Sequence, residues 1–167
     1  MKRKRKAERR AMDGAKTRNE GGGTLAGEIR AAFPEMERAL SDAECADLAE
    51  NLPLLRDEDV ARYLPALMVR MAELPPKRRP YSDMVGIFLD GAQLRREKDG
   101  SLAPRSDRSP FRDSCAAEPF ARFTRAQSAA VLRFVREVLL PVEPDAVFLA
   151  SALVFWNEKA KSSGIDG

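Results

Sequence analysis

The chain has 167 residues, 44% hydrophobic and 33% charged, with a formal net charge of +3, two cysteines and no histidine. That length suits one domain around one core, and the lack of histidine excludes Ser-His-Asp and Cys-His catalysis as well as the commonest transition-metal ligand. No G-x-x-x-x-G-K-[ST] or G-x-G-x-x-G run is present, so no cofactor is expected. No secretory signal or bilayer-length apolar run is present either, so the expectation is a cytoplasmic protein without membrane contact, its Cys45 and Cys115 reduced.

Charge is unevenly spread. Residues 1–20 hold nine basic groups against the acids Glu8, Asp13 and Glu20, a net of +6, which leaves −3 for the remainder. The stretch MKRKRKAERR, the polar residues after it and Gly21-Gly22-Gly23 have too little apolar content to offset ordering entropy, so residues 1–23 are expected to be a disordered basic tail. The tail reads either as a solvated segment or as a phosphate-contacting arm built on Lys2, Arg3, Lys4, Arg5, Lys6, Arg9 and Arg10. Met12 as an alternative start would remove those seven groups.

Residues 24–161 are expected to form a single helical domain. Thr24 can cap a short helix carrying Leu25, Ile29, Ala32 and Phe33, closed by Pro34. Ser41 and Glu44 have capping-box spacing and open a helix with Cys45, Leu48 and Leu52 on its apolar side, which makes Cys45 a small core residue. Asp57, Glu58 and Asp59 read as an N-cap and first-turn acids favoured by the helix dipole, because their spacing matches no calcium loop. Pro65 marks the start of a further helical segment with Leu67, Met68, Met71 and Leu74 buried. PPKRRP, residues 75–80, is a stiff basic connection, and Met84 to Leu89 reads as a short helix capped by Ser82 or Asp83, weakened by Gly86.

From Gly91 to Glu118 the chain turns polar, with Asp99-Gly100 marking a turn, and is expected to be one long loop. Arg95, Arg96, Lys98, Arg105, Arg108 and Arg112 make it locally basic, and Pro110-Phe111 and Pro119-Phe120 are expected to anchor its end. Thr124 and Gln127 form a second capping box, so a helix should begin at Arg125. Val131, Phe134, Val135, Val138 and Leu139 fall on one stripe, opposite Arg125, Ala129, Arg133 and Arg136. A last helix, almost continuously apolar from Ala146 to Trp156, has Lys159 and Lys161 at its C-terminal end, and residues 162–167 are expected to fray. The fold class is therefore all-α: a compact multi-helix domain with a basic tail and one long polar loop.

The order Ile29-Arg30-Ala31-Ala32-Phe33, then Tyr63-Leu64-Pro65-Ala66, then Phe120-Ala121-Arg122-Phe123-Thr124 with Gln127, Val131 and Phe134, and a closing Trp156, resembles an uncharacterised bacterial all-helical family, a domain of unknown function. The resemblance spans most of residues 28–156. It implies the helical fold and brings no catalytic residues; the tail and the 91–118 loop depart from it.

The functional expectation is a non-enzymatic interaction or regulatory protein, of immunity type by its size and class. Another protein would be its partner, met through the basic loop with Arg95, Arg96, Arg105 and Arg108 as contact candidates, or through a helical face. The alternative is a nucleic-acid-associated protein using the N-terminal arm. Neither catalytic nor metal-ligating residues are expected. The partner's identity and the oligomeric state are not legible in the sequence.

Overall fold

The computed structural model describes residues 23–36, 38–104 and 118–162. Six α-helices dominate them: α1 (Leu25–Ala32), α2 (Asp42–Asn51), α3 (Asp57–Glu73), α4 (Ser82–Phe88), α5 (Arg125–Phe134) and α6 (Val147–Lys161). Between α4 and α5 lies one antiparallel hairpin, β1 (Leu94–Arg96) and β2 (Leu102–Pro104). The all-α class holds, and the hairpin replaces part of the expected loop.

Local chemistry sets three helix starts. The Thr24 hydroxyl accepts from Gly27 N at 3.1 Å, and both capping boxes are complete, Ser41 with Glu44 and Thr124 with Gln127. Each box satisfies amides that the helix itself leaves without partners. Arg38 donates to the Glu44 carboxylate, which together with the Ser41 amide holds its pKa down to about 2. A depressed carboxyl pKa contributes stability above the unfolded value, and that contribution is lost only as pH falls toward the folded one.

Three expectations about helix limits are corrected. Pro65 starts no new segment; α3 runs unbroken through it. Proline removes the bond to the carbonyl four residues back, but that residue, Ala61, is exposed, where solvent can satisfy it. Arg56, not an acid, is the N-cap of α3, and Asp57, Glu58 and Asp59 fill its first turn. At α4 the cap is Tyr81, in the left-handed region at φ 46°, so Ser82 and Asp83 lie inside the helix and neither caps it.

α5 packs between α1 and α6 and is the core's central element. Val131, Phe134, Val135, Val138 and Leu139 are all buried, as the stripe predicts, while Arg133 reaches Glu137 at 2.5 Å on the outer side. Its last turn widens into a π-turn, Val135–Leu139, where Leu140 N donates to Val135 O at 2.9 Å. Pro141 follows and has no N–H to continue the regular pattern. The carbonyl of Val138 is instead taken by Arg79 Nη1 at 2.7 Å, whose Nε also donates to Met71 O and Leu74 O at 3.1 Å. One guanidinium thus closes the ends of two helices. Arg79 is the residue of PPKRRP that the reading as a plain basic connection misses.

α6 joins α5 and α4, and Gly86 explains itself there: a Cβ would sit 2.6 Å from Phe148 Cε2 and 2.7 Å from Leu149 Cδ2. α6 is less enclosed than its composition implies, since Val154 is exposed while Leu149, Ser151, Ala152 and Trp156 are buried. Aromatic rings link these elements, with Phe120 against Trp156 at 4.9 Å and against Phe88 at 5.5 Å, and Phe33 against Phe123 at 5.4 Å. The Trp156 indole donates to Leu89 O at 2.8 Å. No helix among the described residues is long and apolar enough to cross a membrane.

Chemical denaturation should rank three substitutions. Phe134→Ala should cost about 3–5 kcal/mol through a core cavity, Gly86→Ala about 1–3 kcal/mol through overpacking against α6, and Thr124→Ala about 1 kcal/mol. A Gly86→Ala protein as stable as the parent would contradict the close α4–α6 approach.

Candidate functional site

Of the residues singled out from the sequence, Arg95 and Arg96 are on β1 and exposed. Lys2, Arg3, Lys4, Arg5, Lys6, Arg9, Arg10, Arg105 and Arg108 lie outside the described residues, as do Arg112, Cys115 and the Pro110-Phe111 pair. Phe120, the other expected anchor, is fully buried. The structure therefore brings together the two arginines and Lys98 on one hairpin.

The hairpin's turn follows its sequence. Gly100 N donates to Glu97 O at 3.0 Å and Glu97 N to Ser101 O at 2.8 Å, with Gly100 at φ 86°. That is a type I turn ending in a left-handed residue, the geometry of a three-residue hairpin loop, and Asp-Gly supplies it. The Ser101 hydroxyl and amide both donate to Asp99 Oδ1, at 2.6 and 2.9 Å, holding its pKa below the usual carboxylate value.

Its attachment to the core does not follow from local sequence. Asp90, only 8% exposed, accepts from Gln93 N at 2.8 Å and from the Ser151 hydroxyl at 2.5 Å. Ser151 Oγ in turn accepts from Leu94 N, the first residue of β1, at 2.7 Å. Gln93 is held at φ 49°, a left-handed conformation that costs a non-glycine residue about 1–3 kcal/mol. Gly91 lets the backbone lie on Phe155, where a Cβ would come within 2.6 Å of the ring. Three contacts, from Asp90, Gly91 and Leu94, thus fasten the hairpin's base to α6. Sequence reasoning passed over Asp90 and Ser151. The available signal was Ser151 itself, the one hydroxyl in the apolar run from Ala146 to Trp156.

Electrostatically the hairpin region is milder than its arginines imply. Residues 91–118 hold six basic residues and five acids, a net of +1, and Arg95 Nε pairs with Glu97 at 2.8 Å. Arg96 Nη1 donates to Gly100 O at 3.2 Å, steadying the turn.

A second cluster joins α1, α2 and α3. Arg30 meets Glu73 at 2.7 Å, Arg70 bridges Glu73 at 3.5 Å and Asp42, and Arg78 also reaches Asp42. The hydrogen bond from Arg70 is the largest reason the Asp42 carboxyl lies below its ordinary pKa. A cleft of about 40 Å³ beside this cluster is floored by Met36, Leu40, Ala66 and Val69. The ion pairs are exposed and screened by solvent, so they tie elements together more than they build a site. Cys45 is buried, and burial pushes its thiol up to about 11, which suits a packing residue and not a nucleophile. Among the described residues no three His, Cys, Asp or Glu side chains are grouped to hold a metal ion.

Comparison with protein-family models, with curated proteins and with solved structures finds no match in any of the three.

Ser151→Ala should leave the Leu94 amide without its acceptor and Asp90 without one donor, lowering stability by about 1–3 kcal/mol. Hydrogen exchange at Leu94 should accelerate while amides inside α5 keep their relative order of protection. Unchanged Leu94 exchange would show that Ser151 does not anchor the hairpin.

Proposed function

We propose that this chain is a non-enzymatic interaction protein that presents the β1–β2 hairpin to another protein, in a regulatory or immunity-type role. The observation that carries this reading is the anchoring of the hairpin. A buried carboxylate, a buried hydroxyl and a strained Gln93 are all engaged in fixing a small element that adds little to the core. Contact residues gain affinity when a rigid scaffold positions them, because less conformational freedom is lost on binding. Arg95, Arg96 and Lys98 are the exposed groups this scaffold offers. Histidine is absent from the whole chain, and the buried Asp90–Ser151 pair already holds backbone, which favours binding over acid–base chemistry.

Affinity capture from the native host, followed by purification and titration of the captured protein, tests the proposal. Arg95→Glu with Arg96→Glu should weaken that complex by at least about tenfold, or 1.4 kcal/mol, with the unfolding midpoint nearly unchanged. Equal affinity would take the hairpin out of the interface.

A second reading, nucleic-acid association, is favoured by the net +6 of residues 1–20 alone. About seven phosphate contacts would give log affinity a slope near −6 against log salt. Labelled DNA and RNA titrated against the full chain and a chain beginning at Met12 should then differ steeply at low salt. Equal, negligible binding by both would end this reading.

A further inference from the structure

One end of the helical bundle gathers cations that no carboxylate answers among the described residues. Arg125 Nε donates to Ala160 O at 3.1 Å, so the start of α5 touches the end of α6. Lys159 and Lys161 flank Ala160 on that last turn. Arg122 lies in the turn from Phe120 to Phe123, closed by Phe123 N donating to Phe120 O at 3.1 Å. Both of those rings meet Trp156, one helical turn before Ala160, at 4.9 and 5.9 Å. Arg122, Arg125 and Lys161 are exposed and Lys159 is half-buried. Every ion pair between described residues lies elsewhere in the fold.

Helix stability accounts for part of this gathering. The two lysines suit the C-terminal dipole of α6, and Arg125 takes one of its last carbonyls. Arg122 serves neither purpose. Burial lowers the pKa of Lys159, with no neighbouring carboxylate to offset the cost. Like charges held side by side repel one another, and an anion from outside relieves that repulsion.

The charge balance selects the anion. Phe33 meets Phe123 at 5.4 Å, so α1 brings Glu35 to this end, and α6 contributes Glu158. Against four bases these leave a local net of +2, while residues 21–167 total −3, so the remainder of that stretch holds −5. A nucleic-acid duplex carries a phosphate charge about every 1.7 Å and would run off so small a patch onto the acidic remainder. Two adjacent helix ends, about 10 Å each, are spanned by about six extended residues. A short acidic peptide segment covers the cations and nothing else.

We propose that the surface formed by Arg122, Arg125, Lys159 and Lys161 docks a short acidic segment of a partner protein. It is a second contact surface, and it stands whether or not the hairpin binds. Its contacts are exposed, so they speed encounter and set partner choice more than they add affinity, and they weaken as salt screens them.

Titrating the full chain with acetylated, amidated hexaglutamate at low salt, read by amide chemical shifts, tests this surface. Outside residues 1–20, shifts should concentrate at residues 121–125 and 158–161. Arg122→Glu with Lys161→Glu leaves the Arg125 bond in place and should weaken binding, read from those amides, by at least about fivefold. Lys77→Glu with Arg136→Glu replaces two other exposed cations outside any ion pair, makes the same change in net charge and should weaken it by less than about twofold. If charge reversal unfolds the protein, the shifts of the parent chain decide alone. Equal weakening by the two pairs overturns the proposal, as do shifts confined to residues 1–20 or scattered over the fold. A duplex of about 16 base pairs that shifts residues 121–125 and 158–161 at lower concentration than the peptide overturns it too, making the surface a phosphate site.

Discussion

The fold depends on a single continuous contact among aromatic rings contributed by four separate stretches of chain. Phe33 closes α1, Phe88 ends α4, Phe120 and Phe123 lead into α5, and Phe155 and Trp156 sit on α6, each within ring-contact range of another. Edge-to-face pairs of this kind add about 0.5–1.5 kcal/mol each beyond the area they bury. The indole N–H is satisfied by the carbonyl of Leu89, at the C-cap of α4. α4 is only seven residues long and has no side-chain cap, so this contact and the Gly86 approach to α6 are what hold it. Short helices are marginal by themselves and gain their stability from packing, which is why α4 exists at all.

What the sequence made legible was whatever is decided within four residues. Both capping boxes, the Thr24 cap, the α5 stripe and the core position of Cys45 are local chemistry, and each is where the residues place it. What stayed hidden is decided across the chain. Arg79 meets Val138, Asp90 meets Ser151 and Trp156 meets Leu89 at separations of 59, 61 and 67 residues, and no periodicity encodes which partner a side chain will find. Pro65 shows the reverse failure, a strong local signal overruled by packing. α3 buries eight residues, Pro65 among them, and that burial outweighs one lost hydrogen bond.

The hairpin escaped for a compound reason. Its strands are three residues each, Leu94-Arg95-Arg96 and Leu102-Ala103-Pro104, too short to display an alternation. An isolated two-stranded hairpin is marginal in water, so its presence implies support from elsewhere. That support is the Asp90–Ser151–Leu94 connection, assembled only after α6 has packed. Asp99-Gly100 was legible as a turn because its left-handed residue is a local demand; the strands beside it were not, because their demand is tertiary.

Local and global preferences agree through most of this chain, which makes their disagreements informative. They fall into two kinds. At Gln93 and Gly91 the cost is answered by buried contacts, with Asp90 and Ser151 for one and the Phe155 ring for the other. Such positions are strained and also held, as expected where a fold must aim an element. At Leu54 a side chain 80% exposed leaves about 2 kcal/mol of burial unused, while at the acidic end of α2 the Asn51 amide donates to Asp47 O at 2.9 Å and to Asp47 Oδ1 at 3.3 Å. A core this well filled has no packing need for an exposed leucine there. Conflicts of the first kind serve geometry inside the domain, whereas one exposed leucine on a short turn is a cost the fold tolerates, because single apolar side chains at a surface are common.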